Sequence, residues 1–110
     1  MNQEIYKILR NISERLKREY NAEKVILFGS YARGEETLDS DVDILVIAPT
    51  KERMIDRMAS VSKIIRNLRN CLPISPIVLT PEEFRRKLDK GDAFIQTVVE
   101  EGVELWEKRG

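Results

Sequence analysis

Val25-Ile26-Leu27-Phe28-Gly29-Ser30-Tyr31-Ala32-Arg33-Gly34 and, after Glu35 to Ser40, Asp41-Val42-Asp43-Ile44-Leu45-Val46-Ile47 are the stretches on which the architecture turns. Val25 to Phe28 is a short, partly β-branched apolar run stopped by Gly29, the pattern of a buried strand running into a turn. Val42 to Ile47 is apolar except at Asp43, so it reads as a central strand covered on both faces toward its far end, closed by Pro49. The link between the two is short and holds no long helix. An antiparallel pair within a mixed sheet is the expectation.

Working outward, Ile5, Ile8, Leu9, Ile12 and Leu16 fall on one helical stripe with charged residues between them, which predicts an amphipathic first helix. Downstream, Met54, Met58, Val61, Ile65 and Leu68 alternate spacings of four and three, which predicts a long core-facing helix with Thr50 ahead of it as the N-cap. Ile74 to Leu79 reads as a third strand. Pro76 inside it lacks an N–H, which assigns that strand to a sheet edge or a bulge. Thr80-Pro81-Glu82-Glu83 is a helix start: Thr as cap, Pro at the first helical position and Glu at the third. Gly91 ends that helix, Asp92 caps another carrying Phe94, Ile95, Val98 and Val99, and Gly102 releases the chain into a last strand, Val103 to Trp106. Helices alternating with strands define the class as α/β or α+β, a small mixed sheet with helices packed on it, over residues 1–110 as one domain.

Composition narrows the function. Nineteen basic and nineteen acidic residues cancel, without the basic excess of a dedicated nucleic-acid binder, so DNA or RNA is not the leading partner. The longest apolar run, Ile44 to Ala48, is far short of the ~20 residues that span a bilayer, and no secretory start is present. With one cysteine, Cys71, and no histidine, neither an internal disulfide nor a zinc site of the usual ligand types is available. A cytoplasmic location is expected.

The chemistry lies at the turn. Ten residues, Tyr31 to Ser40, separate Gly29-Ser30 from Asp41-Val42-Asp43. Strand alternation puts Asp41 and Asp43 on one side, roughly 6–7 Å apart. No Lys or Arg lies between Glu35 and Ile47, so local sequence offers no counter-charge, and a hard dication such as magnesium is the natural neutraliser. Gly29 lacks a Cβ and lets backbone amides approach an anion, Ser30 adds a hydroxyl donor, and Arg33 offers charge-assisted bonds if it does not simply pair with Glu35 or Glu36. Such a metal-triphosphate cradle favours in-line displacement at a phosphoryl group.

In these motifs, Gly-Ser-Tyr-Ala-Arg-Gly and Ser-Asp-Val-Asp-Ile-Leu-Val at this spacing, the chain resembles the DNA polymerase β-type nucleotidyltransferases, and more closely their minimal prokaryotic branch. The resemblance extends through the helix-first order, the small size and the Thr80-Pro81-Glu82-Glu83-Phe84 segment. It implies a nucleotidyltransferase fold, with Gly29, Ser30 and Arg33 on the nucleotide and Asp41 and Asp43 as catalytic metal ligands for Mg2+. It also implies transfer of a nucleoside monophosphate, AMP from ATP, to a protein. Members of that branch are often antitoxins paired with a HEPN-type partner. The family pattern also calls for a third carboxylate on the third strand, where this chain has Ser75 or its neighbours, none acidic. A catalytically weakened nucleotide-binding antitoxin that masks its partner is therefore the alternative reading.

Overall fold

A computed structural model describes residues 2–107. In chain order the elements are α1 (Gln3–Tyr20), β1 (Lys24–Phe28), α2 (Ser30–Arg33), β2 (Val42–Ile47), α3 (Met54–Ile65), β3 (Ile74–Leu79), α4 (Pro81–Asp89), α5 (Ala93–Glu101) and β4 (Val103–Glu107). The strands form one sheet in the order β3-β2-β1-β4. β1 pairs antiparallel with both β2 and β4, whereas β2 and β3 are parallel. Connection length explains the difference. The link from Phe28 to Val42 carries only the four-residue α2, while the longer link from Ile47 to Ile74 carries α3, the crossover a parallel pair requires. The mixed sheet is as the sequence implied, and β3, which carries Pro76, is an edge strand.

Strand alternation sorts the apolar side chains to two faces. On one, Val25, Leu27, Val42, Ile44, Val46 and Val78 pack under Leu9, Ile12 and Leu16 of α1 and Val61 and Ile65 of α3. On the other, Ile26, Leu45, Ile47 and Leu79 pack under Ile95 and Val98 of α5, with Phe84 of α4 beside them. Each of these buried side chains contributes about 1.5–3 kcal/mol of transfer free energy. From Ile44 onward β2 is buried on both sides, and Asp43 interrupts that at one end.

The caps follow the residue chemistry. Asn2 Oδ1 accepts the Ile5 N–H at 2.8 Å, and Thr80 and Glu83 form a reciprocal capping box. Gly91 takes a left-handed φ of 71° just past α4, and Asp92 Oδ1 accepts the Ile95 N–H at 3.0 Å. Thr50, however, does not cap α3. The helix begins three residues later, with Arg53 at the cap position, and Thr50 Oγ1 instead accepts the Glu52 N–H at 3.1 Å in a local turn.

The apolar stripe of α3 is also corrected at its start. Val61 and Ile65 are core residues, but Met54 and Met58 are 57% and 51% exposed, and the buried position of the first turns is Arg57, at 7%. Its guanidinium explains this. Arg57 donates to Glu83 Oε1 at 2.7 Å, to the Glu52 carbonyl at 3.1 Å and to the Val78 carbonyl at 3.4 Å, so the helix rotates to keep it inward. Glu52 in turn accepts from the Tyr20 hydroxyl at 2.6 Å and from Ser60. This network lies where β2 and β3 finish. Phe94 and Val99 of α5 are likewise exposed, while Ile95 and Val98 are buried.

Candidate functional site

The opposite end of the sheet, where β1 finishes and β2 and β3 begin, holds the residues singled out by the sequence. Gly29 has φ 76° and ψ −155°, a backbone state that only glycine adopts without strain. A Cβ built there would land on Asp43 Oδ2. The carboxylate thus lies directly against the backbone of the turn, and any side chain at position 29 would displace it.

Register places the neighbours of Asp43. It pairs with Phe28 across the antiparallel ladder and with Ser75 across the parallel one, so Phe28, Asp43 and Ser75 form a row on the α5 side of the sheet. Phe94 of α5 meets Phe28 edge-on, with ring centroids 5.5 Å apart. Burial raises the Asp43 carboxyl above its ordinary value, the charge on Asp41 raises it further, and Arg33 works in the opposite direction.

Asp41 itself lies one residue before β2, so its place comes from the loop rather than from strand alternation. That loop is tied by its own hydroxyls: Thr37 N–H donates to Ser40 Oγ at 2.9 Å, and Asp39 N–H to Thr37 Oγ1 at 3.3 Å. The Val42 N–H then donates to the Pro73 carbonyl at 2.8 Å, which pins the start of β2 to the entrance of β3.

Ser30 opens α2. The Gly29 carbonyl accepts the N–H groups of Ala32 and Arg33, at 3.1 and 3.2 Å, which closes the turn of α2. Tyr31 and Ala32 pack against the core beneath α1 and α3, a structural role. Gly34, with φ 73°, turns the chain out of α2. Arg33 pairs with Glu35 at 3.3 Å, and also with Glu101 of α5 at 3.6 Å. Local sequence therefore missed a counter-charge: Arg33 reaches Asp43 electrostatically from outside the Glu35–Ile47 window.

The geometry brings Gly29, Arg33, Asp41 and Asp43 together, with Ser30 on the same turn. Glu82 and Glu83, the nearest acids after β3, belong to the other end of the strand, where Glu83 is held by Arg57 and Thr80. Glu101 was not foreseen, because only the packing of α5 back across β1 brings it to Arg33. Asp41 and Asp43 are oxygen donors beside a cradle that a Cβ would fill, which suits a hard cation with few protein ligands. Among the described residues no group of three or more His, Cys, Asp or Glu side chains is placed to hold a metal ion.

A glycine turn seated against an acid at the head of an antiparallel neighbour, on a small mixed sheet, is a nucleotidyltransferase-type arrangement. The family model of the nucleotidyltransferase domain matches residues 9–104, and the chain belongs to that family. It is 36% identical over 109 residues to a "putative protein adenylyltransferase" of Methanocaldococcus jannaschii, covering 96% of this chain and 100% of the relative. A second protein of that name and organism is 54% identical over 43 residues, 39% of this chain and 43% of its own. Among solved structures, one described as a putative nucleotidyltransferase from Sulfolobus solfataricus superposes with a TM-score of 0.62 at 28% identity, over 94% of this chain and 81% of that one. A toxin-antitoxin structure, the MntA-HpeT double mutant D39ED41E, shares the fold with a TM-score of 0.63 at 20% identity, over 90% and 73% of the two chains.

Proposed function

We propose that this chain binds ATP with Mg2+ through Gly29, Ser30, Arg33, Asp41 and Asp43 and transfers AMP to a protein, acting in the cytoplasm as the antitoxin of a HEPN-type toxin. The observation that carries the reading is Asp43 seated against the Cβ-less Gly29, a carboxylate whose charge is disfavoured by burial and by the neighbouring Asp41. Such a cost is retained where a ligand repays it. Asp41 and Asp43 would hold the ion, which when bound polarises phosphoryl oxygens as a Lewis acid. The amides and hydroxyl after Gly29 would take the outer phosphates, and Arg33 would exchange Glu35 and Glu101 for them. The adenylyltransferase names of the relatives support the nucleotide and transfer. The structural neighbour described as a tri-AMPylated Shewanella oneidensis HEPN toxin with its MNT antitoxin supports the partner.

Titration calorimetry tests the site: Asp41→Asn and Asp43→Asn each abolish magnesium-dependent ATP binding while the fold persists. Unaltered affinity in either variant overturns the assignment. Ser75 beside Asp43 favours a second reading, a nucleotide-binding antitoxin that transfers AMP slowly and acts by masking its partner. Incubation with radiolabelled ATP and the partner decides between them, since brisk labelling excludes the second.

A further inference from the structure

We propose that the site holds one divalent cation, not two, and that Ser75 sets this number. The inference rests on the nucleotide-site reading above. In the row across the sheet, the places on either side of Asp43 belong to Phe28 and Ser75, one apolar and the other a neutral hydroxyl. β3 is the edge strand, so no further strand beyond Ser75 could contribute a ligand to that row. Of the other described acids near this end, Glu35 and Glu101 are engaged by Arg33, and Glu36 on the same loop, whose Oε1 is buried with no hydrogen-bond partner, completes no group of three that could hold a metal ion. Among the described residues no third acid joins Asp41 and Asp43.

Two carboxylates balance one dication. A pair of dications ~3.5–4 Å apart, as in two-metal phosphoryl-transfer sites, repel four times as strongly as unit charges and need anionic protein ligands on both sides. The phosphates can complete the shell of one ion shared with Asp41 and Asp43. A second ion next to Asp43 on the β3 side would have from that strand only the Ser75 hydroxyl, a weak ligand for a hard cation that dehydrates reluctantly. The sheet register makes the remedy specific: an acid at position 75 would stand beside Asp43 on the same face.

The test counts Mn2+ on the full chain with AMP-PNP by electron paramagnetic resonance and equilibrium dialysis, with circular dichroism to confirm folding. One ion per chain with an uncoupled spectrum is expected, rising to two with dipolar broadening in Ser75→Asp. In Ser75→Ala the count stays at one and the affinity within about twofold, because the hydroxyl is not needed by the first ion. Two coupled ions on the unaltered chain overturn the inference and leave the nucleotide site standing. No retained ion, with or without AMP-PNP, overturns the nucleotide-site reading itself. A folded Ser75→Asp that keeps a single ion overturns the part assigned to Ser75.

Discussion

Where β2 and β3 finish, Arg57 is wrapped by Glu83 and two carbonyls, and Glu52 is met by Tyr20 and Ser60. Where the same strands begin, Asp43 has Asp41 for a neighbour and only the distant help of Arg33, which is itself shared between Glu35 and Glu101. The ionisation energetics differ in sign. Hydrogen bonds from Arg57 hold the Glu83 carboxyl below its ordinary value, and those from Ser60 and Tyr20 do the same for Glu52, while burial and repulsion push Asp43 up. One end of the sheet spends its charges on holding α3 and α4 in place. The other leaves charge unsatisfied, as a site awaiting a ligand does.

The sharpest way to break the contrast is at the unsatisfied end. Asp43→Asn is expected to eliminate magnesium-dependent ATP binding while leaving the thermal midpoint unchanged or raised, because it removes a repelled, half-buried charge. Gly29→Ala should also lose binding, and in addition lose about 1–2 kcal/mol in urea unfolding from its left-handed φ alone. At the satisfied end the pattern inverts. Arg57→Ala should cost about 2–3 kcal/mol by urea unfolding, below the ~3–5 of a fully buried pair because Glu83 keeps access to water, with nucleotide affinity intact.

The pH dependence separates the ends further. Glu83 is depressed, so its contribution is present above its ordinary value of 4.5 and is lost as pH falls through its lower folded value. Asp43 is raised, so its effect runs the other way: stability is lost as pH rises through its folded value, above the ordinary 3.8. Thermal melts between pH 3 and 7 should show Glu83→Gln flattening the acid limb and Asp43→Asn removing the penalty at higher pH. The smallest effect belongs to the outer face of α3, beside Arg57. Met54→Ser and Met58→Ser should change stability by less than about 0.5 kcal/mol, as both side chains already face solvent.

What the sequence disclosed tracks the range of the interactions involved. The strands, the antiparallel first pair, the edge position of Pro76, the Thr80–Glu83 capping box and the approach of Asp43 to Gly29 follow from neighbours or from alternation and are found, whereas Asp41 precedes β2 and is placed by its loop. The phase of α3 could not be read, because Arg57 turns inward for Glu83, 26 positions away, and periodicity counts a buried arginine as surface. Thr50 has the side chain of a plausible cap, yet its hydroxyl serves the Glu52 amide instead. Glu101 at Arg33 is of the same kind, since only the packing of α5 back across β1 creates it.

Both flanks of the sheet are awkward for another chain to extend. Pro76 interrupts the row of donors along β3, and β4 pairs with β1 through an irregularity between Val25 and Ile26 that shifts its register. Among the described residues, the proline in β3 and the twist that a bulge adds beside β4 make both borders poor hydrogen-bond templates, and accidental stacking of copies into fibrils is discouraged.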